Sequence, residues 1–176
     1  ERLKLFDHWL EHAMQVERSR LLEDAAGVAA MQVVIDALAE DDSERLQQAM
    51  LPYNERVRLS TGRSPAPLRF FRTGAGPFFS SLSAGGGESE AGAMVLASQE
   101  DMRAFAGLEM RAEGPAVGAA VPVVRGGEQV GMVFASLPLA EVFRRMDLPV
   151  EFGLAVALDA GAYPDQAQHG RRVGGA

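Results

Sequence analysis

The stretch from Val117 to Leu137, VGAAVPVVRGGEQVGMVFASL, decides the fold. Two apolar runs flank Gly126-Gly127. A Gly-Gly pair supplies both positive φ angles of a type I′ turn, so the stretch reads as a β-hairpin. Pro122 lies inside the first arm. Proline has no N–H for a ladder, so Pro122 is expected at a sheet edge or a bulge. Side chains alternate between the faces of a strand. Met132 and Phe134 therefore share one face, and Gly131 and Val133 the other.

Upstream of the hairpin, Gly107–Ala112 reads as a strand. Ala91–Ala104 has no breaker after Gly92 and suits a short helix or an ordered loop. Ser83–Glu90 is a glycine-rich surface loop. Leu68–Arg72 and Phe78–Leu82 read as two strands joined by a turn over Thr73–Pro77. Downstream, Pro138–Met146 suits a short helix with Leu139, Val142 and Phe143 on one face. Phe152–Leu158 is expected as a last strand, and residues 161–176 as a flexible tail or linker.

The first third is helical. From Glu1 to about Glu40 there is no proline and one glycine, Gly27. Leu3, Phe6, Leu10, Ala13, Glu17, Leu21, Ala25 and Val28 recur three or four apart, and only Glu17 interrupts that apolar stripe. Asp41-Asp42-Ser43-Glu44 then offers capping chemistry for a second helix. Pro52 is expected to kink or restart it. The order predicts an α+β fold, a long N-terminal helix packed along an antiparallel sheet of five to six strands. One domain is expected over residues 1–160, with a helical region at 1–60 and a sheet region at 68–158.

The chain has 176 residues, 47% apolar, with a net charge of -7. That suits one domain with a real core and argues against a nucleic-acid surface, which needs a basic stripe. There is no cysteine, so disulfides, thiolate zinc sites and c-type haem attachment are excluded. No apolar run approaches the ~20 residues of a membrane-spanning helix. The sequence opens on Glu1, and the reading is of a fragment whose membrane segments lie outside it.

Catalytic motifs are missing. There is no G-x-S-x-G, H-E-x-x-H or G-x(4)-G-K. Gly74-Ala75-Gly76 leads into Pro77 and a strand, where a dinucleotide loop would lead into a helix. Ser80, Ser81 and Ser83 occupy no strand–turn–helix elbow. His8 and His12 are spaced i, i+4, but no third metal ligand is indicated, so solvated histidines are expected. No enzymatic activity, cofactor or metal is expected.

The runs Leu68-Arg69-Phe70-Phe71, Phe78-Phe79, Gly107-Leu108-Glu109-Met110-Arg111 and Ala120-Val121-Pro122-Val123 through Gly126-Gly127 to Phe134 resemble the Cache family. Its double-Cache-like group is the most similar. The family comprises extracytoplasmic sensor domains of bacterial chemoreceptors, sensor kinases and diguanylate cyclases. The resemblance covers roughly residues 20 to 158. It implies a long helix along a PAS-like antiparallel sheet, with a ligand pocket between sheet and covering loops. It also implies a periplasmic location beside an inner membrane, reached through flanking segments. The chain departs from the family pattern at two places. Arginines stand in the pattern where this chain has Ser80, and where it has Gly118-Ala119. Those arginines would suit an anionic ligand, so the ligand class stays open between amino acids, organic acids and others.

Candidate binding residues follow from strand parity. Glu109 and Arg111 lie two apart and share a face, where a carboxylate and a guanidinium could bind an amine and a carboxylate. The alternative is an exposed ion pair of little worth. Arg69 shares a face with Phe71, and aromatic walls with a few polar groups suit a small-ligand site. Phe79, Met132 and Phe134 complete the set, with core packing as their ordinary role. Met94 and Phe105 could roof it. The expected function is small-molecule sensing in a chemotaxis or two-component receptor, signalled by a ligand-biased helix shift, with a homodimer through the N-terminal helix. The alternatives are a ligand-free structural or dimerisation module, or a cytosolic PAS or GAF sensor.

Overall fold

The computed structural model describes residues 2–74, 76–81, 92–111 and 114–145, with side chains from His8 onward. Helices α1 (Arg2–Ala29), α2 (Gln32–Ala39) and α3 (Ser43–Thr61) come first. Strands β1 (Leu68–Arg72) and β2 (Pro77–Ser80) form a hairpin, and α4 (Ala93–Asp101) follows. Strands β3 (Phe105–Arg111), β4 (Gly114–Arg125) and β5 (Glu128–Pro138) lead into α5 (Leu139–Arg145). The strand order is β2-β1-β5-β4-β3, antiparallel throughout. The fold is α+β with five described strands. The expected strand at Phe152–Leu158, the Ser83–Glu90 loop and the 161–176 tail lie outside the described residues.

The β4–β5 hairpin forms as its sequence requires. Gly126 and Gly127 have φ of 61° and 90°, both positive. Pro122 pairs with Met132 of β5, but the ladder with β3 ends at Ala120, paired to Phe105. β4 is therefore an edge at Pro122, and the missing N–H breaks no bond there. A register shift follows between Val123 and Val124.

The sheet has two unequal faces. Leu68, Phe70, Val117, Ala119, Val121, Val133 and Ala135 point into the main core against Leu21, Ala25, Val28, Val34 and Leu46 of the first three helices. On the other face Phe71, Ala120, Met132 and Phe134 pack with Val95 of α4. The helical layer thus covers one face and α4 alone, among the described elements, covers the other.

Three expectations change. The helix expected to reach Glu40 ends at Ala29, and Met31 is extended at φ -71°, ψ 123°. The apolar stripe through Leu21, Ala25 and Val28 extrapolates to Gln32 and Ala39, which are exposed. The buried residues are Val34, Ala37 and Leu38, so the stripe slips in phase and the helix must break to follow it. Pro52 neither kinks nor restarts the second helix, since α3 runs unbroken from Ser43 to Thr61. Pro52 and Gln48 are both exposed, so water can take the carbonyl that proline leaves unbonded. The second strand of the first hairpin runs Pro77–Ser80, one residue earlier than expected at its start.

The cap at Asp42 forms as expected, its carboxylate accepting from the Arg45 N–H at 2.9 Å. Glu17, the interruption in the α1 stripe, is 9% exposed. It lies 3.5 Å from Arg20 and 3.8 Å from Arg145 of α5, which pairs the charge that the apolar stripe would otherwise strand.

Candidate functional site

Register places the candidate residues. Arg69 pairs with Phe134, Phe134 with Ala120, and Ala120 with Phe105. Phe71 pairs with Met132, and Glu109 with Ala116. Directly paired residues point to the same side of a sheet. Arg69, Phe71, Glu109, Arg111, Met132 and Phe134 therefore all stand on the α4 face. Phe79 does not. It pairs with Phe70, its ring centroid lies 5.9 Å from that of Phe70, and both belong with the main core. Alternation along β2 puts it on the helical side, so as a candidate ligand contact it is displaced.

On the α4 face the floor is apolar. Phe71, Met132 and Phe134 are at most 1% exposed. Above it lies a charged cluster. The Arg111 guanidinium carbon sits 5.1 Å from the centre of the Phe134 ring, a cation–π contact. Its Nη1 is 3.7 Å from Glu109 Oε2. The two side chains are 9% and 5% exposed, so this is a buried pair and the exposed alternative does not apply. Glu109 Oε1 accepts from the Met94 N–H at 3.3 Å, in the first turn of α4. Oε2 is buried without a hydrogen-bond partner. Burial pushes the Glu109 carboxyl above its ordinary value of 4.5, while the Met94 N–H and the Arg69 charge pull it back.

Residues unmarked by the sequence shape this site. A Cβ at Gly92 would collide with the Glu109 carboxylate, so glycine leaves the space that carboxylate fills. A Cβ at Gly118 would lie 2.8 Å from the Phe134 ring. A side chain at Gly118 is thus incompatible with this placement of Phe134. Ser98 is fully buried, its hydroxyl donating to the Arg103 carbonyl at 2.5 Å and lying 3.4 Å from the Ala120 carbonyl. That ties α4 to the sheet. Met94 packs against this cluster, its Cε 3.7 Å from where a Cβ on Gly107 would be. Phe105 lies instead under the Arg103 guanidinium, 4.7 Å away.

An open cleft of about 630 Å³ lies on the helical side, between α1 and α5. Its lining includes His12, Glu17, Arg63, Glu141 and Arg145. His8 and His12 are exposed, and among the described residues no cluster of metal-ligating side chains occurs. Among them too, no helix is long and apolar enough to cross a membrane.

No protein-family model matches the sequence, and no curated protein matches it. Solved structures do match by fold. The E. coli DcuS sensor domain superposes with a TM-score of 0.60 at 14% identity, over 77% of this chain and 98% of that one. The V. cholerae sensor domain of the histidine kinase DctB gives 0.58 at 12% identity, over 84% of this chain and 60% of that one. The extracellular domain of the candidate histidine kinase vpHK1S-Z8 gives 0.58 at 11% identity, over 81% and 58%. The chain has the PAS-like Cache fold of these sensor domains. It spans nearly all of the first and about three-fifths of the other two.

Proposed function

We propose that this chain is an extracytoplasmic sensor domain of a membrane-anchored bacterial receptor, with residues 1–160 as one non-enzymatic unit. The observation that carries the reading is the buried Arg111–Glu109 pair above Phe134, joined by the charge of Arg69, beneath the start of α4. Charged groups are rarely buried without a partner or a use. The fold shared with the DcuS sensor domain and with the sensor domain of the histidine kinase DctB supports the same reading. The ligand is a small molecule held between the sheet and α4, with an amino acid or organic acid as the class that two guanidiniums and one carboxylate suit.

Signalling follows the strand that both faces share. On β5, Met132 and Phe134 face the site while Val133 and Ala135 pack in the core under the helices, and α1 lies across β4 and β5. A ligand that prefers one placement of β5 biases the placement of α1, limited by its differential affinity for the two. Exposed Trp9 and Val16 on α1 suit a homodimer through that helix.

The test is a thermal-shift screen over amino acids, organic acids, amines and purines. A ligand of the folded state raises the midpoint by mass action. Loss of that shift in Arg111→Ala, with binding retained in Phe79→Leu, supports the α4-face site. If no compound shifts the midpoint, the ligand-free dimerisation module takes its place.

A further inference from the structure

We propose that Glu109 fills the anion seat of this site from within, so that an anionic ligand enters together with a proton taken up by Glu109. The inference rests on the sensing-site reading above.

The seat is built from three parts. The first turn of α4 offers the Met94 N–H, 3.3 Å from Glu109 Oε1. Helix N-termini favour negative charge through such N–H groups. Arg111 Nη1 stands 3.7 Å from Oε2, and the charge of Arg69 acts on the same carboxylate. Those groups would hold an external carboxylate, and the side chain already among them is Glu109, 5% exposed. Gly92 keeps the space open, since a Cβ there would collide with the carboxylate. Oε2, buried and without a hydrogen-bond partner, points toward the guanidinium without closing on it.

Two carboxylates in one buried seat raise each other's affinity for a proton. Among the described residues that line the seat, Glu109 is the group that can take that proton up. Among the described residues, Arg111 and Arg69 are the charged groups that act on Glu109. β4 presents Ala116, Gly118 and Ala120 on this side, and the first turn of α4 (Ala93, Met94, Val95, Leu96) carries nothing that titrates. Once protonated, Glu109 changes from acceptor to donor and gives its O–H to the incoming anion. The binding step adds one anion and one proton to the site and breaks no covalent bond.

The test uses sulfate, methanesulfonate and trifluoroacetate, whose own charge does not change between about pH 5 and pH 8. Calorimetric titration of the whole chain at both pH values is expected to show tighter binding at the lower pH by about tenfold or more. It is also expected to show a binding enthalpy that varies with the ionisation heat of the buffer, the direct sign of proton uptake. Glu109→Gln is expected to bind the same probe equally at both pH values. Wild-type binding that ignores pH and buffer overturns the proposal without touching the sensing reading. So does the absence of binding of all three probes to both proteins, which leaves the sensing site to the amines and purines of the screen. A Glu109→Gln protein that fails to fold leaves the buffer-dependent enthalpy of the wild type to decide.

Discussion

Gly118 of β4 and Phe134 of β5 are diagonal neighbours on the α4 face, and the ring occupies the space a side chain at Gly118 would need. The Phe134 ring is in turn the surface on which Arg111 rests. One missing methyl group therefore sets the height of the charged cluster.

Gly118→Ala is expected to destabilise the domain by about 1–3 kcal/mol, the usual range for overpacking a tight core. Phe134 is 1% exposed and cannot swing into solvent. Denaturant unfolding measures the loss, and Gly118→Ala/Phe134→Leu is expected to recover part of it. An unchanged midpoint for the single variant would mean the ring yields freely.

Gly131→Ala is expected to cost more. Its Cβ would lie 2.7 Å from the Phe71 backbone oxygen and 3.1 Å from the Leu38 side chain. The first obstacle belongs to the neighbouring strand, and backbone gives way only if β1 shifts from β5. Unfolding of both glycine variants in parallel checks the ranking.

Arg111→Ala removes the partner of a buried carboxylate. Breaking such a pair from one side costs roughly 3–5 kcal/mol when it is fully desolvated. With 3.7 Å between the charges, the lower end of that range is expected. Adding Glu109→Gln to Arg111→Ala is expected to restore much of the loss, because the stranded charge goes with it. A double-mutant cycle reads the coupling, and additive losses would show that the two side chains act independently.

The pH dependence of stability carries a definite sign at Glu109. Its carboxyl is raised above 4.5 in the folded chain, mainly by burial. As pH rises past the ordinary value, the unfolded chain releases its proton first while the folded chain holds on. Folding stability from this group therefore falls with rising pH, until the folded carboxyl has also ionised. Wild type is expected to lose stability relative to Glu109→Gln across that window and to track it below. Urea unfolding of both proteins from about pH 4 to pH 8 tests it; an opposite slope would mean Arg111 and Arg69 outweigh burial.

Asp42→Ala is expected to cost about 1 kcal/mol, the ordinary price of an N-cap. Its carboxylate bonds the Arg45 N–H, and α3 carries Leu46 and Met50 into the core. Asp42→Asn is expected to retain most of the stability.

How far the sequence could be read follows the range of each signal. Gly126-Gly127 and the runs around it are local, and the hairpin forms with both glycines at positive φ. Parity carried Glu109, Arg111, Arg69 and Phe71 to the same side as Met132 and Phe134, because register between neighbouring strands preserves it. Phe79 was misplaced because β1 and β2 are offset at a bulge between Phe70 and Phe71, and no turn residue announces that offset. The break at Met31 has no glycine or proline to mark it. It is visible only as a slip in the apolar stripe, once Val34 and Leu38 are known to be buried. The roles of Gly92 and Gly118 depend on side chains from other strands, so no local pattern contains them.

The strand order has a kinetic consequence. β4 pairs with β5 across a two-glycine turn, and β3 joins β4 from just upstream, so half the sheet closes through near neighbours in the chain. β1 must travel from Leu68 to reach Ala135. Pairings so distant in sequence form slowly, because loop closure is costly before contacts compensate it. Arg69 and Phe71 arrive with that last strand, while Glu109, Arg111 and Phe134 belong to the part that closes early. A folding chain would therefore hold the Glu109–Arg111 pair before Arg69 joins it. The charged cluster on the α4 face is thus completed only by the pairing that spans the longest stretch of chain.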